Sequence, residues 1–356
     1  MNTELLFQLY SIHSPSGSEK RMRKFLRKQA KRRGAQSIVT DAYGNLLITK
    51  GSAETFPCVA AHIDQVQNFH SKDFTVVQIG DDIIGWSPKC HKQQGLGADD
   101  KNGVFICLEC LERFDNIKVA FFVGEETGCV GSSDVDLSFF SDCRFIIEPD
   151  RRGGSDLITS MFCGDVCSEK FVDAINASDF GYNEERGSVT DVGELVERGV
   201  GISCLNLSCG YYNAHTDEEM VILSELENCL NFVVRIIETC TDVYPFEYTP
   251  KTYASSWGSS SGFKYGNSWS NYGSLYGSYY GGGYDFCTED DEDEEMMSEL
   301  LSYEPELTFD DITSIYGINF HTRDLDHLRE IYERVRVWYA SDTDDDDFWG
   351  DDAKVS

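Results

Sequence analysis

Two adjacent glutamates follow an apolar run and are the first sign of chemistry in this sequence. Glu125 and Glu126 end the stretch VAFFVGEE (119–126). Neighbouring side chains on a strand point to opposite faces, so each carboxylate would meet different surroundings. Two carboxylates this close repel each other unless cations or a catalytic task hold them in place. Taken alone, the pair is equally consistent with a solvated strand end.

Four other groups of carboxylate and imidazole side chains occupy similar positions along the chain. They are His62 and Asp64 in CVAAHID (58–64), Asp99 and Asp100 in GLGADDKNG (95–103), Glu148 and Asp150 in RFIIEPD (144–150), and His215 in CGYYNAHTDEEM (209–220). Singly, each has a structural explanation, such as a hydrogen-bonded histidine or a helix N-cap with an acidic first turn. Together, they lie at the ends of strand candidates or before helix candidates, where open α/β sheets bind their ligands.

This set of side chains favours a site for divalent metal ions. Two imidazoles and several carboxylates, with no thiolate among them, suit a pair of zinc, cobalt or manganese ions better than a cysteine-rich structural zinc. The period of two along a strand sends His62 and Asp64 to the same face. There the carboxylate can accept the proton on the second imidazole nitrogen and orient the ring toward a metal.

The elements that must position these residues alternate between short apolar runs and helical stretches. This alternation, from residue 1 to about 250, predicts an α/β layer architecture. Strand candidates cover 45–50, 58–64, 74–86, 119–125, 144–150 and 200–210, and helix candidates cover 19–33, 101–115, 167–179 and 223–241. We therefore predict one catalytic domain over residues 1–250.

The composition changes after Pro250. Residues 251–287 are rich in Gly, Ser and Tyr, with no period that could bury one face, and we interpret them as a low-complexity segment. Residues 288–356 form an acidic region that contains an amphipathic helix candidate at 324–340. From 289 to 356 there are 23 acidic and 5 basic residues, so more than half of the net charge lies outside the predicted catalytic domain.

The overall charge limits the partners of this protein. A protein with a net charge of -32 is repelled by nucleic acids and by anionic membranes, so we expect neither as a partner. A basic protein could instead bind the acidic region. The 13 cysteines stand mostly in apolar runs, as reduced core thiols do. No apolar run reaches the roughly 18 residues of a membrane span, and we predict a cytoplasmic protein.

The order and spacing of the motifs resemble those of the co-catalytic dizinc exopeptidases, the clan that includes peptidase T, the carboxypeptidase G type and the bacterial leucyl aminopeptidases. That pattern is His-x-Asp, then Ala-Asp-x-Lys-Gly or similar, then Glu-Glu, then a single acid, then His. Here the five motifs occur in the same order between residues 62 and 215. The resemblance implies a three-layer α/β/α sandwich with a central mixed, mostly parallel sheet, the zinc exopeptidase fold.

By position, the resemblance also implies two metal sites that share one carboxylate. The implied metal ligands are His62, Asp99, Glu126, Asp150 and His215. Asp99 would bridge the two ions, which are zinc in many of these enzymes, and the peptide bond after it is often cis in the family. Asp64 would orient His62, and Glu125 would be the general base.

The third acidic ligand is open between two residues. Glu148 in EPD looks like the Gly-Glu-Pro of some carboxypeptidase and deacylase relatives, whereas Asp150 resembles a strand-end aspartate. We favour Asp150 because it is closer to the Gly153–Gly154 turn. About 64 residues separate Asp150 from His215, too few for the lid or dimerisation domain that peptidase T relatives insert there. We therefore expect no inserted lid domain.

The implied function is hydrolysis of peptide or N-acyl amide bonds, most simply by an exopeptidase or aminopeptidase that acts on short peptides or N-acyl amino acids. A water shared by the two metals would attack the carbonyl, with Glu125 as the base. The alternative is a catalytically inactive scaffold or assembly module that uses the Tyr/Gly tract and the acidic tail. Loss of activity usually shows as a missing ligand or base, and here every position is filled.

Overall fold

The computed structural model describes residues 1–161 and 164–250 and four isolated positions, 309, 329, 332 and 333. The chain divides into two compact units, Met1–Gly262 and Phe263–Ser356. All predicted site residues belong to the first unit. The predicted low-complexity segment lies outside the described residues. So does the acidic region with its helix candidate at 324–340, apart from those four positions. The boundary after residue 250 therefore stays a prediction.

The described residues of the first unit form seven α-helices and fourteen β-strands. The helices are α1 (Thr3–Tyr10), α2 (Lys20–Arg32), α3 (Ala98–Arg113), α4 (Val130–Asp134), α5 (Glu169–Ile175), α6 (Asp191–Glu197) and α7 (Leu223–Thr239). The strands are β1 (Ser37–Thr40), β2 (Leu46–Lys50), β3 (Phe56–His62), β4 (Thr75–Ile79), β5 (Asp82–Ser87), β6 (Lys92–Gln94), β7 (Ile117–Phe122), β8 (Cys143–Arg151), β9 (Asp156–Met161), β10 (Gly164–Asp165), β11 (Asn183–Arg186), β12 (Cys204–Ser208), β13 (Tyr211–Tyr212) and β14 (Met220–Ile222).

The larger sheet is mixed, with a parallel centre. Its strand order is β1-β2-β7-β3-β8-β12-β9-β10, and β11 pairs with β9. The four central strands, β7, β3, β8 and β12, pair in parallel, and antiparallel pairings to β2 and β9 flank them. Every residue of β3 and β7 is buried, which explains why both are mostly apolar, with Lys118 and His62 as the charged or polar exceptions. The predicted α/β fold with a mixed central sheet is confirmed.

Helices cover both faces of this sheet, and the side chains of β3 show it. Val59 and Ala61 join a core cluster with residues of α1, α3 and α7, whereas Cys58 and Ala60 join a second cluster with residues of α6. Alternate residues of a strand face opposite sides, so one strand contributes to two cores. The result is the three-layer α/β/α arrangement.

A second, smaller sheet corrects one sequence prediction. The stretch 74–86, predicted as one strand, is the hairpin of β4 and β5, which turns at Gly80 and Asp81. Gly80 has a φ of +66°, a conformation that glycine adopts without steric cost. The hairpin joins β6, β13 and β14 in an antiparallel sheet of order β13-β14-β5-β4, with β6 paired to β5. The chain thus builds part of a separate sheet between β3 and α3.

The described cysteines are free thiols, and among them only Cys90 is exposed. Burial raises the pKa of the Cys110 thiol and takes that of Cys107 well above its usual value. The Cys107-x-x-Cys110 pair in α3 is therefore core packing. Among the described residues, none of the helices combines the length and the apolar character that a membrane span requires.

Candidate metal centre

The predicted site residues meet at one edge of the central sheet. His62 is the last residue of β3, Glu125 and Glu126 follow β7, and Asp150 lies near the end of β8. Because β7, β3 and β8 are parallel, their carboxyl ends lie at the same edge. Asp99, at the start of α3, and His215, in the loop between β13 and β14, contact these residues.

The first group of donor atoms consists of His62, Asp99 and Asp150. His62 Nε2 lies 3.1 Å from Asp99 Oδ1 and 3.6 Å from Asp150 Oδ1. Three donor atoms, one from each residue, all lie within 4.8 Å of one another. One imidazole nitrogen and two carboxylate oxygens at these separations can surround a single cation.

The second group consists of Asp99, Glu126 and His215. His215 Nε2 lies 3.2 Å from Asp99 Oδ2 and 3.0 Å from Glu126 Oε2. Asp99 therefore offers one carboxylate oxygen to each group. This is the geometry that two cations sharing one aspartate require. The Asp99–Asp100 peptide bond is cis, as the resemblance implies.

Asp64 contacts both His62 and the turn that carries Glu125 and Glu126. His62 Nδ1 lies 3.4 Å from Asp64 Oδ1 and 3.1 Å from the Asp64 backbone oxygen. The same carboxylate accepts hydrogen bonds from the backbone N–H groups of Glu125, at 3.1 Å, and Glu126, at 3.3 Å. With a metal on Nε2, the Nδ1 proton would be held by these Asp64 oxygens, and the ring would keep one orientation.

The two glutamates of the pair have different surroundings, and both lie in the turn after β7, which ends at Phe122, rather than at the end of the strand predicted over 119–125. The Glu126 carboxylate belongs to the second group, whereas the Glu125 carboxylate belongs to neither. Glu125 Oε1 has a weak contact from Cys129 Sγ at 3.8 Å. Burial, followed by the neighbouring carboxylates, raises the pKa of Glu125 well above its usual value, although His62 opposes the shift.

Glu148 and Asp150 differ in their contacts. Glu148 is fully buried, and its Oε2 accepts hydrogen bonds from the Thr190 hydroxyl and from the backbone N–H of Val192, at 3.1 Å. Both donors stand at the N-terminus of α6, where a carboxylate is stabilised by the helix dipole. Glu148 therefore caps a helix, and of the two acids only Asp150 stands within the metal-binding groups.

The balance of charge in this region fits bound cations. Burial lowers the pKa of His62, but the neighbouring carboxylates of Asp150, Asp64 and Asp99 raise it by more. The pKa of His62 therefore lies well above its usual value. Burial likewise raises the pKa of Asp150 well above its usual value. Carboxylates thus surround both imidazoles, and bound cations would offset the negative charge of these carboxylates.

Several buried side-chain oxygens of the described residues lack a hydrogen-bond partner, and one of them belongs to the second group. Glu126 Oε1 has no hydrogen-bond partner among the described residues, although it is shielded from solvent. A buried carboxylate oxygen without a partner is costly, and a cation would supply one. Oxygen and imidazole donors of this kind match zinc, cobalt and manganese. The residues present fit the two divalent ions that the sequence predicts.

Sequence reasoning missed two residues that support the site. The Ser16 hydroxyl donates a 2.7 Å hydrogen bond to Asp64 Oδ2, and Glu219 accepts one from the backbone N–H of Asp99 at 3.1 Å. Ser16 stands in the loop before α2, far in sequence from the motifs that carry the candidate ligands. Glu219 offered a signal, because it follows His215 by four residues and is an acid next to a strand of apolar residues.

Comparison with solved structures identifies proteins of similar fold. The chain superposes on the aminopeptidase PepT from Bacillus cereus with a TM-score of 0.54 and 16% identity, over 67% of this chain and 98% of that one. A tripeptidase from Staphylococcus aureus gives 0.53 and 15%, over 67% and 97% of the two chains. An aminopeptidase from the archaeon Desulfurococcus kamchatkensis gives 0.52 and 16%, over 67% and 96%.

No protein-family model matches the sequence, and no curated protein sequence matches it. The likeness is therefore one of structure, at identities too low to carry more than the fold. The described part of this chain has the fold of solved aminopeptidases, and the fold implied by its resemblance to the dizinc exopeptidases is confirmed.

Proposed function

We propose that this protein is a metal-dependent hydrolase of peptide or N-acyl amide bonds that acts as an exopeptidase or aminopeptidase on short peptides. One observation carries the proposal: two groups of imidazole and carboxylate donors share Asp99, and a further glutamate stands beside them outside both groups. The solved proteins with the same fold are two aminopeptidases and a tripeptidase, which supports this class of reaction.

In this proposal each group of donors holds one divalent ion. His62, Asp99 and Asp150 would hold the first ion, and Asp99, Glu126 and His215 would hold the second. When bound, such a pair of ions polarises a carbonyl oxygen and makes a water molecule nucleophilic near neutral pH. Zinc is our first choice, with cobalt or manganese as the other candidates.

The protein supplies orientation and proton transfer. Asp64 keeps the His62 ring in one tautomer and one orientation, and it also fixes the backbone of Glu125 and Glu126. Glu125 takes the proton of the attacking water and returns it to the departing amine. Its exclusion from both groups of ligands leaves its carboxylate able to accept that proton.

Several sequence predictions stay proposals. We propose a cytoplasmic protein without nucleic-acid or membrane partners, a basic protein partner for residues 288–356, and a catalytic domain without an inserted lid. The scaffold alternative is less well supported, because the implied ligand and base positions are all filled by suitable residues and the ligands stand within 3.0–3.6 Å of their neighbours.

The proposed activity predicts metal-dependent hydrolysis. Full-length protein loaded with zinc, cobalt or manganese should hydrolyse members of a panel of di- and tripeptides and N-acyl amino acids. A chelator should abolish hydrolysis, and added metal should restore it, because the proposed chemistry needs both ions. Products are measured by mass spectrometry, which also identifies the end of the peptide that is removed. A protein that binds metal but hydrolyses no member of the panel would favour the scaffold.

A further inference from the structure

The two groups of candidate metal ligands belong to different kinds of structural element. In the first group, His62 and Asp150 belong to β3 and β8, which pair in parallel in the buried centre of the sheet. In the second group, His215 lies in a loop, has a φ of +65° and keeps 33% of its side chain exposed. A non-glycine residue in that conformation persists only where its surroundings hold it. The second group therefore depends on whatever fixes the His215 loop.

A single buried carboxylate links this loop to Asp99. Glu219, four residues after His215, is 0% exposed. Its Oε2 accepts a 2.6 Å hydrogen bond from the backbone N–H of Gly97, and its Oε1 accepts a 3.1 Å bond from that of Asp99. Both donors belong to the turn that opens α3. The Glu219 side chain thus connects the segment that carries His215 to the backbone of Asp99, the residue that both groups share.

Two further contacts join the segment 215–219 to β6, the strand that precedes this turn, and they provide a comparison. The Gln93 amide donates to the backbone oxygen of Glu219 at 3.1 Å. Lys92 and Asp217 form an ion pair of 2.8 Å, with 66% and 38% of their side chains exposed. An exposed pair of this kind contributes little to stability. The buried carboxylate of Glu219, which accepts two backbone hydrogen bonds, is the stronger connection.

We propose that Glu219 is a positioning residue that sets the distance between Asp99 and His215, and that the second metal position depends on it more than the first. This inference rests on the two metal positions of the proposed function. Glu219 does not touch a metal or a substrate in this proposal. It acts through the backbone of Asp99 and through the loop that carries His215.

Replacing Glu219 by glutamine isolates this role. The glutamine side chain has nearly the same shape, but its amide offers one oxygen and one NH₂ group. The oxygen can accept one of the two backbone hydrogen bonds, and the NH₂ group then faces the other backbone N–H donor. Loss of such a supporting contact typically weakens metal binding about 10–100-fold.

The test measures the zinc affinity of full-length protein by competition with a chromogenic chelator, in two backgrounds. Asp150→Ala leaves the second position as the better site, and His215→Ala leaves the first. We expect Glu219→Gln to weaken zinc binding about 10–100-fold in the Asp150→Ala background and less than about 3-fold in the His215→Ala background. Asp217→Asn, which breaks only the exposed ion pair, should leave both affinities within about 2-fold.

Two results would overturn the inference: equal weakening in both backgrounds, or no weakening in either. Glu219→Asp keeps the charge but is one methylene shorter, so it should weaken the second position less than Glu219→Gln does. If Glu219→Gln does not fold, this variant decides the question by the same comparison. Failure of the unsubstituted protein to bind two zinc ions would contradict the proposed function itself, and is thus distinguished from failure of the inference.

Discussion

Glu125→Gln is expected to keep both metal ions and to lose about 10²–10⁴-fold in kcat for peptide hydrolysis, the usual contribution of general acid–base catalysis. The Glu125 carboxylate belongs to neither group of donor atoms, so metal content should not change. The glutamine side chain has the same length, but it cannot take a proton from water near neutral pH. The variant therefore separates proton transfer from metal binding.

The neighbouring residue is the matched control for this prediction. Glu126 Oε2 lies 3.0 Å from His215 Nε2, so Glu126→Gln should lower the affinity for one ion and leave the other in place. Metal analysis and steady-state kinetics on both variants give the comparison. Full activity of Glu125→Gln, or loss of metal from it, would show that the roles of the two glutamates are assigned wrongly.

The second large effect is expected at Asp99, whose carboxylate stands in both groups. Its Oδ1 lies 3.1 Å from His62 Nε2 and its Oδ2 lies 3.2 Å from His215 Nε2. Asp99→Ala should therefore weaken both metal positions and bring hydrolysis below detection. His215→Ala, in contrast, removes a ligand of one position only and should retain one ion.

Metal titration followed by mass spectrometry of the native protein distinguishes these two variants. Circular dichroism and thermal unfolding of the metal-free proteins show whether each variant is folded. If folded Asp99→Ala still bound two ions with affinities like those of the unsubstituted protein, Asp99 would not be the shared ligand. The two positions would then have to be built from separate sets of residues.

The candidate ligands could be located from the sequence because strand ends are local features. His62 directly closes an apolar run and Asp150 stands three residues after one, and the parallel order of β3 and β8 then brings them to one edge. The Glu125–Glu126 pair likewise follows an apolar run, but the two carboxylates diverge in the turn after β7 and not through the alternation of side chains along a strand. In each case a short stretch of sequence determines both the type of side chain and its place at the edge of the sheet.

The distinction between Glu148 and Asp150 was harder, because it depends on a helix distant in sequence. Both acids stand near the end of β8, and a period of two places them on the same face. What separates them is the N-terminus of α6, which supplies Thr190 and Val192 as partners for Glu148. A local pattern contains no information about such a partner.

The hairpin at 74–86 and the role of Glu219 were missed for a related reason. The residues from Phe74 to Trp86 are apolar enough for one long strand, and only the Gly80–Asp81 step marks a turn. Glu219 lies beside β14, and its partners belong to the turn before α3. Pairing between distant segments, rather than local propensity, determines both features.

Metal content tests the central claim most directly, because every proposed role depends on two ions held around Asp99. Purified full-length protein, saturated with zinc, cobalt or manganese and then freed of excess metal, should carry close to two ions per chain by inductively coupled plasma mass spectrometry. The two groups of donors within 4.8 Å predict this value. A stoichiometry near zero under the same conditions would contradict the account.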